Sequence, residues 1–163
     1  ISGEPVTGLA EGRPMFVRSA NDKFNLANFM RANLYASVGV LKIGNDILFN
    51  EEHIKVDRIT GHGGLFKTKG VGQRVLAAAI NSPISVMETA GEGGAWGIAL
   101  LASYLVNNAN GSTLADWLEQ NVFAGNTGVE IAPTAEDVAG FNKWIENYKR
   151  GLAIEQAAVD NKA

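Results

Sequence analysis

Apolar positions along the chain follow two periods, and together they predict alternating strands and helices. Phe24, Ala27, Met30, Leu34, Val38 and Leu41 recur at helical spacing. They predict a long helix from about Phe24 to Phe49, with Ser19 and Asp22 as its start signal and Gly39 or Gly44 as points where it can bend. Val71, Val75, Leu76, Ala79 and Ile80 mark a second helix, stopped by Asn81-Ser82-Pro83. Ala95, Ile98, Ala99, Ala102 and Leu105 mark a third, rich in small residues and expected to pack closely. Thr113 and Asp116 start a short helix around Leu114, Trp117 and Leu118. Thr134 and Asp137 start the last, which Val138, Phe141, Trp144, Ile145, Tyr148 and Leu152 continue and which frays from about Gln156. Its aromatic stripe reads as a packing face, not as a platform for stacking bases.

The strand candidates are shorter. Ile84 to Met87 is apolar on both faces, as suits a buried parallel strand. Val56, Ile59 and Thr60 form another, Gly128 to Ile131 a third and Pro14 to Arg18 a brief fourth. Residues 1–13, with three glycines and Pro5, read as turns and a short edge strand.

The run from Lys55 to Leu105 therefore reads strand, glycine turn, helix, strand, glycine turn, helix, and the rest of the chain supports it. The turns are Gly61-His62-Gly63-Gly64 and Gly91-Glu92-Gly93-Gly94. Each is expected to place backbone N–H groups of a helix start at one edge of a parallel sheet, the edge where open α/β sheets bind ligands. Glycine permits positive φ and, without Cβ, lets a flat base or a phosphate approach the main chain. Tight turns alone would also use glycine, and neither turn matches the dinucleotide fingerprint or the P-loop. Two such turns about 30 residues apart, one strand-helix unit, favour a binding site.

Composition narrows the class. At 163 residues the chain is expected to be a single domain, residues 1–163, with a real core. Fourteen basic residues are spread along it against seventeen acidic ones, which argues against a nucleic-acid surface. The longest apolar run, Ala95 to Val106, is too short to span a bilayer, so no membrane contact is expected. Cysteine is absent, which excludes thiol catalysis and disulfides and fits a cytoplasmic protein. His53, after Glu51 and Glu52, lacks a second histidine at helical spacing and reads as a surface residue. Arg31, Lys42 and Asp46 read as a solvated helix face. Asn110-Gly111-Ser112 matches a glycosylation acceptor but lacks a secretory context.

The glycine turns carry a resemblance. Gly63-Gly64-Leu65-Phe66-Lys67-Thr68, continued to Gln73, is similar to the Gly-Gly-Gly-Ala-Lys-Ser stretch of the FGGY family of carbohydrate kinases, with its glutamine nine to ten residues on. Glu92-Gly93-Gly94-Ala95-Trp96-Gly97-Ile98-Ala99-Leu100-Leu101-Ala102 resembles the family's Glu-x-x-Ala-x-Gly-Ala-Ala-x-x-Ala. Leu65, Phe66 and Trp96 are bulkier than the family pattern, so the detailed pocket shape does not carry over.

The resemblance implies an α/β, actin-like and ribonuclease H-like ATPase lobe with flanking helices. It implies ATP and Mg2+ as cofactors and a pentulose such as D-xylulose or L-ribulose as substrate. In this reading Gly63, Gly64 and Lys67 line the nucleotide, Gly93 and Gly94 lie nearby, and Gln73 and Glu92 brace the turns. His62 is expected to be a turn or pocket-wall residue. Such kinases are roughly three times this length, so the chain is expected to be a C-terminal fragment, inactive alone. The general base, the phosphate loops and most sugar contacts would come from an N-terminal half. The long helices would face that half or a second subunit in a homodimer. A non-catalytic α/β module that binds a nucleotide or a protein is the alternative, because no acid, base or nucleophile constellation stands out. A small hydrolase is disfavoured, since no nucleophile elbow is present.

Overall fold

The structure is a computed structural model describing residues 3–56, 58–108, 110–125 and 128–161. Five α-helices and a three-stranded mixed sheet are found among the described residues, so the α/β expectation holds. The chain divides into two compact units: Ile1–Val56, Val75–Asn81 and Pro133–Ala163 form the first, and Asp57–Arg74 with Ser82–Ala132 the second.

The first unit is built on two long helices, α1 (Leu26–Asp46) and α5 (Ala135–Asp160). Asn25, not Ser19 or Asp22, caps α1, its side chain accepting the Asn28 N–H at 2.8 Å. Asp22 instead accepts the N–H of Ser19 at 2.6 Å. That bond runs backwards along the chain and closes a separate turn, so it satisfies none of the helix's open donors. The helix passes through Gly39 and Gly44 and continues as one π-helical turn, Ile47–Glu51. At Gly39 an added Cβ would stand 3.3 Å from the Trp144 ring, so the missing side chain lets α1 approach α5 closely. Tyr35, Phe141 and Trp144 interlock there with ring centroids 4.8 to 5.5 Å apart. Phe141 is 0% exposed, a burial that contributes about 1.5–3 kcal/mol.

Only part of the predicted α1 stripe is core. Val38 is buried, whereas Met30 and Leu41 are about half exposed. Thr134 caps α5 by accepting the Asp137 N–H at 3.1 Å, as expected, but the helix does not fray at Gln156; it runs to Asp160. Residues 14–18 form no strand. Met15, Phe16 and Val17 stay about half exposed, with Phe16 edge-on to Phe29 at 5.2 Å. An isolated antiparallel bridge, Glu4 to Leu9, and a 3-10 turn at Pro5–Thr7 make up the start of the chain.

The second unit holds the sheet, in the order β1 (Ile59–Gly61), β2 (Ile84–Val86), β3 (Val129–Ile131). Strand β1 runs parallel to β2 with Thr60 opposite Ser85, and β3 runs antiparallel with Glu130 opposite Ser85. The sheet is thus mixed, not wholly parallel. Ile84, Ser85 and Met87 are buried, as the two-faced apolar pattern of that strand predicts. Helix α2 (Val71–Ile80) leads out of this unit. It stops at Asn81, whose φ of 50° is the left-handed conformation that ends helices. Thr113 caps the short α4 (Leu114–Leu118).

The helix α3 (Gly93–Asn107) departs from expectation. None of its residues is buried, and Ile98, Leu105 and Val106 are 68%, 81% and 82% exposed. Two ring contacts hold it: Trp96 meets Phe123 edge-on at 6.1 Å, and the Tyr104 ring meets Trp117 at 5.8 Å while its hydroxyl donates to the Ser112 carbonyl at 2.8 Å. Apolar composition specifies that a helix seeks a partner surface; it does not supply one.

Candidate functional site

The two glycine turns meet in the second unit, at the carboxyl ends of the parallel strands β1 and β2. Beyond β1 the chain crosses Gly63 at φ 105°, a conformation that side chains disfavour, and enters a 3-10 turn, Gly64–Phe66. Beyond β2 it forms a longer 3-10 segment, Glu88–Glu92, that runs straight into α3. Two hydrogen bonds and two packing contacts join the turns. The Gly63 N–H donates to the Ala90 carbonyl at 2.8 Å. Lys67 Nζ donates to Glu92 Oε1 at 2.7 Å across 25 residues of sequence. The Lys67 stem lies on Gly91 and the His62 ring on Gly93, each 3.2 Å from where a Cβ would stand.

The five residues singled out by sequence are therefore neighbours, with different parts. Gly63 has its N–H engaged by Ala90 and is held at positive φ, and the His62 imidazole lies over Gly93. Gly64 and Gly94 are exposed, and a Cβ at either would meet nothing within 4 Å. Those two positions offer bare main chain to a ligand. Lys67 stands at their border, its charge partly met by Glu92. The Lys67 ammonium, by hydrogen bond and by charge, holds the Glu92 carboxyl below its ordinary value.

One expectation is corrected in detail. The first turn does not open directly onto a helix, because α2 begins at Val71, after a 3-10 turn and Gly70 at φ 78°. Only α3 presents its N-terminal N–H groups at this edge. Its N-cap residue, Glu92, makes no side-chain cap bond, because that side chain is turned to Lys67.

Bracing also proves more specific than the pattern suggests. Gln73 is buried, and its Nε2 donates to the carbonyls of Ile84 and Val129, each at 2.6 Å. One amide thereby ties α2 to both β2 and β3. The bulky Phe66 has a reason as well: its ring occupies the space over Gly61 that any Cβ would fill.

Beside the turns lies a cleft of about 460 Å³, with Phe66, Val86, Met87 and Val129 as its apolar floor and Lys67, Lys69 and Glu88 among its polar groups. Of the residues picked by sequence for the nucleotide, only Lys67 lines it. Met87 and Glu88 could have been found as the residues that leave the carboxyl end of a buried strand. Lys69 carried no signal, and Val129 reaches the cleft only through pairing of distant strands.

No group of three or more His, Asp or Glu side chains converges as a metal site among the described residues. No helix among them is long and apolar enough to cross a membrane. No curated protein and no solved structure matches the chain. The family model described as the FGGY family of carbohydrate kinases, C-terminal domain, matches residues 1–106, a stretch that takes in both glycine turns and nearly all of α3. The mixed α/β arrangement is consistent with the ribonuclease H-like fold of that domain. With well over half of its length matched, the chain belongs to the FGGY family of carbohydrate kinases, which are ATP-dependent sugar kinases.

Proposed function

We propose that this chain, residues 1–163 taken as one lobe, is the ATP-binding part of a pentulose kinase acting on a sugar such as D-xylulose or L-ribulose. The observation that carries the reading is the bare main chain at Gly64 and Gly94, held side by side by the Gly63–Ala90 hydrogen bond and the Lys67–Glu92 pair. A flat adenosine can lie against such a surface because no side chain projects from it. The α3 N-terminus supplies a positive end of the helix dipole at the same edge.

In this reading the chain's own residues bind and orient. Gly63 holds the turn in a conformation that glycine tolerates, Gly64 and Gly94 form the nucleotide face with Gly93 beside them under the His62 ring, and Lys67 is the cation at its border. ATP supplies the phosphoryl group. Mg2+ enters as the ion accompanying ATP, since the described residues offer no clustered ligands for it. Phosphoryl transfer further requires a positioned nucleophile and charge stabilisation around the moving phosphate. Those groups, and the sugar contacts, are assigned to an N-terminal half of the same enzyme, in a cytoplasmic protein that can pair as a homodimer. A module that binds nucleotide without chemistry shares the same face and differs only in lacking transfer.

Gly64 provides the test. Its φ lies outside the left-handed region and its Cβ position is open, so Gly64→Val is tolerated by the fold. In the enzyme containing this chain, Gly64→Val should raise the KM for ATP about tenfold or more while leaving sugar affinity unchanged. Loss of sugar binding alone, or an unchanged KM for ATP, contradicts the assignment. Phosphorylation of D-xylulose or L-ribulose in preference to hexoses and glycerol supports the substrate class.

A further inference from the structure

The first unit contains a cavity of about 240 Å³ that the nucleotide reading does not use. Phe16, Ala36, Trp144, Tyr148, Leu152 and Glu155 are among the residues that line it. Trp144, Tyr148, Leu152 and Glu155 follow one another at spacings of four, four and three, so they form one stripe of α5. Ala36 on α1 leaves room opposite them.

Two polar groups in this wall lack suitable partners. Glu155 is only 8% exposed, yet its one hydrogen bond is from the main-chain N–H of Arg13, at 2.9 Å, and no cationic side chain pairs with it among the described residues. The Tyr148 hydroxyl is buried and has no hydrogen-bond partner among them. A buried carboxylate normally keeps a counter-charge, and a buried hydroxyl normally keeps a hydrogen bond. Burial and the charge of Glu155 both push the Tyr148 phenol upward, so the hydroxyl stays neutral beside the carboxylate.

The remaining wall is aromatic, from Phe16 and the stacked pair Trp144 and Tyr148, whose centroids are 5.1 Å apart. Aromatic faces beside an unpaired carboxylate suit an ammonium group. An anion would meet Glu155 unfavourably, and an uncharged molecule would leave its charge unanswered. The volume falls below the range of drug-sized pockets, which restricts the ligand to a small molecule.

We propose that this cavity binds a small organic cation: its ammonium head pairs with Glu155, with the Tyr148 hydroxyl as second acceptor, and its apolar body lies against Phe16 and Trp144. The site lies wholly in the first unit, so it stands or falls independently of the nucleotide assignment.

Calorimetric titration of the 163-residue chain with propylammonium, benzylammonium and 2-phenylethylammonium, and with the neutral 2-phenylethanol, tests this. At least one ammonium should bind, and at least tenfold more tightly than the alcohol. Glu155→Gln, whose amide oxygen can still accept the Arg13 N–H, should weaken that binding tenfold or more. Tyr148→Phe should weaken it severalfold while thermal stability is kept or raised. Binding by none of the three ammoniums, equal binding of 2-phenylethanol, or unchanged affinity in Glu155→Gln overturns the proposal. Should Glu155→Gln fail to fold by circular dichroism, the comparison of ammonium with alcohol on the unaltered chain decides alone.

Discussion

Lys67 and Glu92 form a 2.7 Å charge-assisted hydrogen bond that ties the first glycine turn to the second, although both side chains are well exposed. Exposed pairs of this kind contribute little to stability. The consequence of the pair is positional: it fixes where the ammonium sits at the border of Gly64 and Gly94. Glu92→Gln should therefore leave the unfolding midpoint nearly unchanged. Lys67→Ala should weaken ATP binding by about tenfold in the enzyme containing this chain, the worth of one charge-assisted contact. Isothermal titration with ATP, alongside thermal unfolding of both variants, separates the two effects.

The same pair has a pH signature. The Glu92 carboxyl is held below its ordinary value of 4.5 by Lys67, so its contribution to the folded state is present above that value and lost as pH falls through the lowered one. Above about pH 5 the pair should be intact. An NMR titration of the Glu92 carboxyl should show a midpoint under 4.5 that returns to the ordinary range in Lys67→Ala or in high salt.

Gln73 should matter more to stability than either charged residue. Replacing it with methionine keeps the volume and leaves the Ile84 and Val129 carbonyls without their donor in a largely buried place. A loss of about 2–3 kcal/mol is expected from urea unfolding. A loss under about 0.5 kcal/mol would mean that the amide does not brace the strands.

Gly61 and Phe66 are a matched pair. A Cβ at position 61 would overlap the Phe66 ring, so Gly61→Ala should cost about 1–3 kcal/mol. Because the ring also floors the cleft, Phe66→Ala should relieve the overlap. The double variant should then be more stable than the sum of the single losses allows, and a double-mutant cycle by chemical denaturation measures that coupling.

The apolar face of α3 gives a prediction in the opposite direction. Leu105 is 81% exposed, so Leu105→Ser should change the unfolding free energy by under about 0.5 kcal/mol. The same substitution should reduce self-association of the chain in analytical ultracentrifugation, because it removes an exposed apolar group. A larger destabilisation would show that Leu105 is buried in solution.

The sequence by itself determined the elements whose causes are local. The Thr134 cap and the heptad-like run through Phe141, Ile145 and Tyr148 specify α5, because side-chain oxygen, free N–H groups and a 3.6-residue period all act within a few residues. The buried β2 was legible from apolar residues on both faces, and the stop of α2 from Asn81-Ser82-Pro83. The glycine turns were legible as turns, since the missing Cβ is local, but which glycines stay open was not: Phe66 covers Gly61 and His62 lies on Gly93, while Gly64 and Gly94 stay bare.

Tertiary structure decided the rest. Neither Ser19 nor Asp22 could show that Asn25 would win the cap of α1, because that depends on which way the carboxylate turns. The Lys67–Glu92 pair and the two hydrogen bonds from Gln73 join residues 11 to 56 positions apart, a separation at which pattern carries no distance. Burial is equally non-local: α3 has an apolar composition and no buried residue, while α1 buries Val38 and leaves Met30 in solvent. A helical period predicts which residues share a face, and only the surface packed against that face decides whether it becomes core.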